Sequence, residues 1–287
     1  MTLHLHAFQP DLGRLMRLAA RERLLPNGDD PGYAVHAVLA ATFGDLAPAP
    51  WALLAPGEGG GPRGRLLAYS PHPLGALLAH ASAYADPTFA GVLDLPSTAS
   101  KVMPDRFPSG TRLGFRARLR PVSRLGKPLA GHASAAERGA RGQERDVYLA
   151  RVAAAERAMA ASGGTPNGML PDAPDVTAAT PVPSRAACYL EWLDGRLRSA
   201  GAELAPVAGG AAETWAAHVE AFRFTRLLAR DRGGPRAQSA AIDGPDALMT
   251  GTLVVTDPDA FTVGLARGVG RHRAFGFGML LLTPPRD

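Results

Sequence analysis

Hydrophobic positions in the N-terminal part of the chain follow two different periods. In "TLHLHAF", Leu3 and Leu5 alternate with His4 and His6, which is the period of a half-buried β-strand. The next stretch, "DLGRLMRLAARERLL", spaces its apolar residues three and four apart, which is typical of an amphipathic helix. These residues are Leu12, Leu15, Met16 and Ala19. The pattern therefore predicts a strand that is followed directly by a helix.

A second helix is predicted over "DDPGYAVHAVLAATFG". Asp29 or Asp30 can cap its N-terminus, Pro31 suits its first turn, and Gly44 can end it. Two extended stretches, "WALLA" and "GRLLAYSP", and a short helix, "PLGALLAHASAY", come next. We assign these elements to an N-terminal domain over residues 1–109.

A second run of elements begins at residue 110. Its strands are "GTRLGFRARLRPV", "HVEAFRFTRLLAR", "ALMTGTLVVTD" and "FGMLLLT", and its helices are "SRAACYLEWLDGRLRSAG" and "PDAFTVGLARG". In chain order these elements are arranged β-α-β-β-α-β, which is the signature of a ferredoxin-like domain. The sequence therefore predicts a C-terminal ferredoxin-like domain over residues 110–287.

The segment 123–183 separates the first strand and the first helix of this second run, and it is too long for an ordinary connection. Its first part is helical in composition, and its later part, "GGTPNGMLPDAPDVTAATPVPS", is typical of a loop or a disordered segment. We interpret the segment as a helical projection that carries arginines. These are Arg138, Arg141, Arg145, Arg151 and Arg157. The alternative is a solvated helix whose arginines pair with Glu137, Glu144 and Glu156.

The composition describes a folded, arginine-rich chain. With 287 residues and 46% hydrophobic residues it can bury a substantial core, which excludes disorder throughout. Of its 31 basic residues only Lys101 and Lys127 are lysines, and its net charge is +5. Arginine pairs bidentately with phosphate, which favours an acidic partner, but an arginine-rich composition is also typical of a GC-rich genome.

The remaining composition argues for a location inside the cell. The single cysteine, Cys188, excludes an internal disulfide and a cysteine-based zinc site. The N-terminus lacks the pattern of a signal peptide, and no apolar stretch approaches the roughly 20 residues that span a bilayer. We therefore expect a cytoplasmic protein without a membrane partner.

A row of arginines is predicted along the first strand of the C-terminal domain. Arg112, Arg116, Arg118 and Arg120 fall at even spacing, so one face of a strand would carry four positive charges. Such a face would suit contacts to the backbone of an RNA stem, whose major groove is too narrow for side-chain readout.

Tyr33 and His36 are candidates for proton transfer. They stand three residues apart on the second predicted helix and therefore share a face. Imidazole groups ordinarily titrate near neutral pH, and a phenol can donate a hydrogen bond or a proton. The alternative is an ordinary helix histidine beside a packing tyrosine.

Glycines and basic residues are concentrated in "GVGRHRAFGFGMLLL", residues 268–282. Glycines let backbone N–H groups approach a ligand closely, and basic side chains between them indicate an anionic ligand such as a phosphate backbone. The stretch follows a helix, unlike a dinucleotide fingerprint, and no Walker loop occurs in the chain. The candidate RNA-binding residues here are Gly268, Gly270, Arg271, His272, Gly276 and Gly278, and Arg273 is a candidate catalytic residue that would clamp the phosphate.

Neither a metal nor a cofactor is predicted. His4 and His6 would project from the same face of a strand, but neither has an obvious third ligand. The other histidines are scattered along the chain.

Two separated motifs are similar to one family. Tyr33-x-x-His36-x-x-Leu39-x-x-x-Phe43 lies near the N-terminus, and Gly268-Val-Gly270-x-x-Arg273-x-x-Gly276-x-Gly278-Met-Leu lies near the end of the chain. Together they resemble the motifs of the CRISPR-associated endoribonucleases of the CasE type. The stretches "FRARLRP", "YLEWLDGRL" and "LMTGTLVVTD…GLARGVG" match the family more loosely.

The resemblance implies an α+β fold with two tandem ferredoxin-like domains and RNA bound across them. It implies metal-independent cleavage of CRISPR repeat RNA at the 3′ base of its hairpin, retention of the mature crRNA, and assembly with other subunits of a type I-E effector complex. In the family, the histidine that matches His36 is the catalytic imidazole and the tyrosine that matches Tyr33 assists it. Arg273 falls where relatives place a basic residue.

The chain departs from the family pattern in two places. The insertion 123–183 is larger than in compact CasE enzymes, and an extra basic helix precedes Tyr33. The arginines of that helix are Arg14, Arg17, Arg21 and Arg23, and they could supply transition-state charge beside His36 or instead of it. This leaves open the processing endonuclease of a type IV system. A non-catalytic RNA-binding scaffold and an enzyme acting on a small phosphate compound also remain open.

Overall fold

The computed structural model describes a protein built on two main antiparallel sheets with helices. The described residues are 2–25, 30–58, 61–124, 144–162, 183–207, 214–230 and 239–285. The statements below concern these residues.

The N-terminal part of the chain forms a four-stranded sheet. Its elements are β1 (His4–Phe8), α1 (Leu12–Arg21), α2 (Gly32–Phe43), β2 (Trp51–Leu54), β3 (Arg65–Ser70), α3 (Leu74–Tyr84), α4 (Pro87–Ala90) and β4 (Ala99–Val102). The strands are ordered β2-β3-β1-β4, and each neighbouring pair is antiparallel. The predicted strands and helices of this part lie where the hydrophobic pattern placed them.

The C-terminal part forms the second sheet. Its elements are β5 (Arg112–Leu119), β6 (Val122–Arg124), β7 (Glu144–Asp146), α5 (Val147–Ser162), α6 (Arg185–Arg198), β8 (Ala202–Leu204), β9 (Ala217–Arg230), β10 (Ser239–Val255), α7 (Pro258–Arg267) and β11 (Leu281–Thr283). The strands are ordered β11-β5-β10-β8, and β9 pairs with a long part of β10. Both sheets have the strand order of a ferredoxin-like fold, which confirms the predicted fold class.

Four short strands were not predicted from the sequence. All four residues of β4 are exposed, so this strand has no hydrophobic alternation to reveal it. The strand β8 is only three residues long and pairs with one end of β10. Within the predicted insertion, β6 pairs with β7, and helix α5 begins only at Val147.

The two parts share a hydrophobic boundary. One core packs helices α1 and α2 against the first sheet, and a second core packs α6 and α7 against the second sheet. Three residues of the first part, Leu3, Tyr69 and Met103, belong to the second core. The Tyr69 hydroxyl also donates to the Leu280 carbonyl at 3.0 Å. The two sheets are therefore packed on each other directly.

The loop between α7 and β11, residues 268–278, reaches from the second part to the first. We call it the glycine loop. Trp51 Nε1 donates to the Ala274 carbonyl at 3.1 Å. Gly276 has φ +84°, and a Cβ at this position would lie 2.6 Å from the buried ring of Trp51. The loop can approach β2 this closely only because Gly276 has no side chain.

We predict that Gly276→Ala destabilises the protein by about 1–3 kcal/mol more than Gly57→Ala. Both glycines have φ +84°, but a Cβ at Gly57 would meet nothing within 4 Å. The backbone strain is therefore matched, and the difference measures the collision with Trp51. Chemical denaturation of the two variants tests this, and equal stabilities would contradict the described packing of the loop.

Candidate functional site

Helix α2 holds Tyr33 and His36 at its edge. Val35, Val38 and Leu39 are buried and fix the apolar face of this helix against the first core, whereas Tyr33 and His36 are half-buried. Their ring centroids lie 6.1 Å apart. The predicted shared face of the pair is therefore present.

Phe275 of the glycine loop completes an aromatic cluster with this pair. Its ring lies 6.0 Å from that of Tyr33 in a nearly parallel arrangement, and 5.4 Å from that of His36, edge to face. His272 contributes a fourth ring, 6.2 Å from Phe275. The structure thus brings the two sequence motifs together in space, through a phenylalanine that the sequence analysis did not single out.

The first turn of α2 is fixed by a buried carboxylate. Asp30 is 4% exposed, and its Oδ1 accepts a hydrogen bond from the backbone N–H of Gly32 at 2.8 Å. A Cβ at Gly32 would lie 2.5 Å from the Phe275 carbonyl oxygen, so this turn touches the glycine loop directly. Asp29, the other predicted cap, lies outside the described residues.

Arg118 links this turn to the second sheet. Its Nη2 pairs with Asp30 and with Asp246 Oδ2, the latter at 2.7 Å, while its Nε donates to Asp246 Oδ1 at 2.9 Å. Burial opposes the charged form of Asp246, but the hydrogen bonds and charges of Arg118 and Arg223 lower the pKa of that carboxyl. The Arg118 guanidinium also lies 4.3 Å from the centre of the Phe277 ring. Arg118 is therefore an internal connector between α2, β10 and the glycine loop.

The predicted basic face of β5 is wrong in part. Arg120 lies just beyond the end of the strand and is only 1% exposed, with its Nη2 donating to the Ile242 carbonyl at 2.8 Å. Burial also lowers the pKa of Arg120. Arg118 is balanced by two carboxylates, and Arg116 donates to the Glu58 carbonyl at 3.0 Å. Of the four, only Arg112 is exposed, so these side chains do not form one open face of four charges.

The glycines of the loop have structural contacts within the protein. All four have positive φ angles. The Gly268 N–H donates to the Gly264 carbonyl and the Gly278 N–H donates to the Arg118 carbonyl, both at 2.8 Å. A Cβ at Gly270 would lie 3.1 Å from the Trp192 ring. Two of the N–H groups that were expected to face a phosphate backbone are thus bonded internally.

Two of the predicted RNA-binding residues in the loop are paired with one carboxylate. Arg271 Nε and His272 Nε2 bond to the two oxygens of Glu144 on β7, the histidine at 2.6 Å. Burial would raise the pKa of Glu144, but the bonds and charges of His272 and Arg271 outweigh it and lower that pKa to about 2. The loop is therefore tied to the base of the insertion. No sequence motif indicated Glu144 as its partner, because the two segments lie far apart in the chain.

Arg273 is oriented away from the aromatic cluster. Its Nη1 donates to the Arg267 carbonyl at the end of α7, at 2.7 Å. Together with Arg196 and Arg267 it lines an open cleft between α6 and α7. The backbone brings Arg273 within two residues of Phe275, but the side chain belongs to this other surface.

The arginines of α1 lie on the surface of the helix that packs against α2. Arg14, Arg17 and Arg21 are exposed, and Arg14 Nη1 donates to the Gly91 carbonyl at 2.8 Å. Arg21 pairs with Glu22 at 2.9 Å. Arg23 follows the helix with φ +53°, in the left-handed region.

The predicted arginines of the insertion have mixed outcomes. Arg138 and Arg141 lie outside the described residues. Arg145 lies in β7 and is half-buried. Arg151 of α5 pairs with Glu191 of α6. The alternative interpretation paired these arginines with Glu137, Glu144 and Glu156. Glu144 instead pairs with Arg271 and His272 of the glycine loop.

The described residues offer no cluster for a metal ion. No group of three or more His, Cys, Asp or Glu side chains within the described ranges could hold one. His4 and His6 are stacked at 5.9 Å, and burial of His6 lowers its pKa. Across those same ranges, no helix is long and apolar enough to cross a membrane.

Comparison with known proteins gives one family and one fold. A family model described as "CRISPR associated protein" matches residues 14–284. No curated protein matches the chain in sequence. Among solved structures, the CRISPR endoribonuclease Cse3 bound to 19 nt RNA is similar with a TM-score of 0.57 and 20% identity, covering 99% of this chain and 100% of that one.

Two further structures share this fold. Thermus thermophilus Cse3, bound to an RNA representing a pre-cleavage complex, has a TM-score of 0.55 and 19% identity, with coverage of 99% and 100%. A CRISPR-associated protein from Thermus thermophilus has a TM-score of 0.52 and 17% identity, with coverage of 98% and 100%. At these identities the similarity establishes the fold.

We predict that Arg118→Met destabilises the protein by about 3–5 kcal/mol, because Asp30 and Asp246 would be left buried without this charge partner. Arg112→Met on the same strand is the matched control, since Arg112 is exposed, and it should change stability by less than about 0.5 kcal/mol. Urea unfolding measures both. Similar, small losses in the two variants would show that Arg118 is not an internal connector.

A second prediction concerns Glu144 and pH. Since its pKa falls from 4.5 to about 2 on folding, its stabilising effect is complete above pH 4.5 and is lost as pH decreases toward 2. Glu144→Gln should therefore cost at most about 3 kcal/mol at pH 7, and this cost should shrink as pH is lowered below 5.

The control for this measurement is Glu203→Gln. Glu203 is part of a surface pair 3.7 Å from Arg198, so its replacement should have little effect at any pH. Unfolding free energies of the three proteins between pH 7 and 3 are compared. A cost for Glu144→Gln that is independent of pH would argue against the ion pairs.

Proposed function

Because the chain belongs to the CRISPR-associated protein family, we propose that it is an endoribonuclease that cleaves CRISPR repeat RNA at the 3′ base of its hairpin. The observation that carries this proposal is the placement of Tyr33 and His36 together at the edge of α2, against Phe275 of the glycine loop. Two structural neighbours described as the endoribonuclease Cse3 bound to RNA support it.

The proposed reaction uses a nucleophile that RNA itself carries. The 2′-oxygen forms a bond to the adjacent phosphorus, and the bond from phosphorus to the 5′-oxygen breaks. The products are a 2′,3′-cyclic phosphate and a 5′-hydroxyl. This step needs a base, positive charge near the phosphate and in-line geometry, and it needs no metal ion.

We assign the proton transfers to the pair on α2. His36 acts as the base, or as a shuttle, for the 2′-hydroxyl proton. Tyr33 positions the phosphate or acts as the acid that protonates the departing 5′-oxygen. Both side chains are half-buried, so substrate can reach them while the aromatic contacts hold their orientation.

Arginines supply the positive charge in this proposal. Arg273 shares a 3-10 helical turn with Phe275. To bind phosphate, its guanidinium gives up the hydrogen bond that it donates to the Arg267 carbonyl. Arg23 lies at the end of the helix that packs on α2. The exposed arginines of α1 contact the RNA backbone, and the chain retains its mature crRNA as a subunit of an effector complex.

A second candidate is an arginine-based site, as in a type IV processing enzyme. It is favoured by the packing of α1 on α2, which places the exposed Arg14, Arg17 and Arg21 on a helix next to Tyr33 and His36. In this case the arginines would stabilise the transition state and His36 would be dispensable.

The test is cleavage of an end-labelled repeat hairpin RNA in EDTA. We expect His36→Ala to slow cleavage by about 10²- to 10⁴-fold, because general acid-base catalysis contributes this much, while RNA affinity stays nearly unchanged. His80→Ala is the matched control, since His80 is a half-buried histidine on the neighbouring helix α3. A 2′-deoxy nucleotide at the cleavage site should also abolish the reaction.

The other outcomes select between the alternatives. Equal cleavage by wild type and His36→Ala would favour the arginine-based site. Tight RNA binding by the wild type without any cleavage would leave a non-catalytic scaffold. Failure to bind repeat RNA at all would overturn the proposed function.

A further inference from the structure

Strand β9 exposes two phenylalanines side by side on its surface. Phe222 is 38% exposed and Phe224 is 53% exposed. They stand two residues apart, so they lie on the same face of the strand, and their rings meet edge to face at 5.4 Å. The two rings together form a continuous aromatic surface on this strand.

Side chains on the protein side of these rings hold them in position. Phe222 packs against the fully buried ring of Tyr189 at 5.8 Å. The guanidinium of Arg185 lies between two rings, 4.3 Å from Tyr148 and 4.6 Å from Phe222. The exposed aromatic surface is therefore held in a defined position by cation–π and ring contacts.

A buried carboxylate holds Arg185 and Tyr189 in place. Asp146 is 5% exposed, and its Oδ2 accepts hydrogen bonds from Arg185 Nη1 and, at 2.8 Å, from the Tyr189 hydroxyl. Its Oδ1 accepts from the Tyr148 backbone N–H at 2.8 Å. Three elements, β7, α5 and α6, thus converge beneath two rings that remain exposed. We call Phe222, Phe224 and Arg185 the aromatic platform.

One residue of the aromatic platform, Phe222, reaches a cavity at the first turn of α2. Helix α2 contacts β9. Phe222 lines a cavity of about 490 Å³ whose wall also includes Gly32, the residue before Tyr33. Arg223, between the two phenylalanines in the chain, projects from the opposite face of the strand, where it lines the same cavity and pairs with Asp246 at 3.0 Å. Exposed aromatic rings match an unpaired nucleobase, because every base has a π-face that can stack on an aromatic side chain.

We propose that the aromatic platform stacks an unpaired nucleobase of the bound RNA, next to the hairpin stem. The proposal rests on the proposed function, since it takes the substrate RNA as the ligand. Stacking on Phe224 holds the single strand where it leaves the stem. The platform therefore helps to place the scissile nucleotide near α2 without taking part in the chemistry.

The experiment uses the full-length protein and a repeat hairpin RNA that is blocked by a 2′-deoxy nucleotide at the cleavage site. Each unpaired nucleotide beside the stem is replaced in turn by the fluorescent base 2-aminopurine. We expect the wild type to quench the fluorescence at one position. Phe224→Ala should remove this quenching and weaken RNA binding by about 5- to 100-fold.

Three other variants make the result specific. Phe224→Trp keeps a stacking ring and should retain both signals. Phe224→Leu keeps an apolar side chain without a π-face and should lose the quenching. Tyr84→Ala is the matched control, because Tyr84 is an exposed aromatic residue, 77% exposed, on helix α3 and is not part of the platform. Thermal unfolding checks that every variant is folded.

The proposal is overturned if Phe224→Ala or Phe224→Leu binds and quenches like the wild type. The first result would assign the platform to something other than RNA, such as an apolar protein partner, and the second would show an apolar contact without stacking. Cleavage of unblocked RNA is measured separately. Platform-dependent binding without any cleavage would refute the proposed endoribonuclease activity while leaving the stacking site in place.

Discussion

The close contact between the first turn of α2 and the glycine loop is the constraint on which the rest of the site depends. Gly32 lies directly beneath the Phe275 carbonyl, and Gly276 lies against Trp51. Neither approach leaves room for a side chain. Arg118 joins the same turn to the second sheet through two buried carboxylates. Tyr33 and His36 are thus positioned by both parts of the protein, although both residues belong to one helix of the first part.

The fold was largely predictable because most of its elements bury one regular face. The alternation around β1 and the helical spacing in α1, α2 and α6 reflect burial against a core, which the sequence records as a hydrophobic period. The strands β4 and β8 escaped prediction for the opposite reason. They are short, and pairing with β1 and β10 defines them more than any hydrophobic pattern of their own.

The candidate site was less predictable because its charges are used inside the protein. Sequence spacing placed four arginines on one face of β5, yet spacing contains no information about carboxylates that arrive from other elements. Asp30 and Asp246 neutralise Arg118, and Glu144 pairs with Arg271 and His272. The glycines of the loop are likewise explained by their positive φ angles and by close packing within the protein. The convergence of Tyr33 with Phe275 required the tertiary structure, since 241 positions separate the two residues in the chain, from 33 to 275.

The three-residue strand β7 connects two separate surfaces of the protein. Glu144, at its start, forms ion pairs with the glycine loop. Asp146, at its end, pairs with Arg185 of the aromatic platform and accepts a hydrogen bond from Tyr189. The two carboxylates are two residues apart and so project from one side of the strand. A displacement of β7 would loosen both sets of hydrogen bonds at once. One short strand therefore supplies the carboxylates for two separate surfaces, and the positions of both surfaces depend on the same three residues.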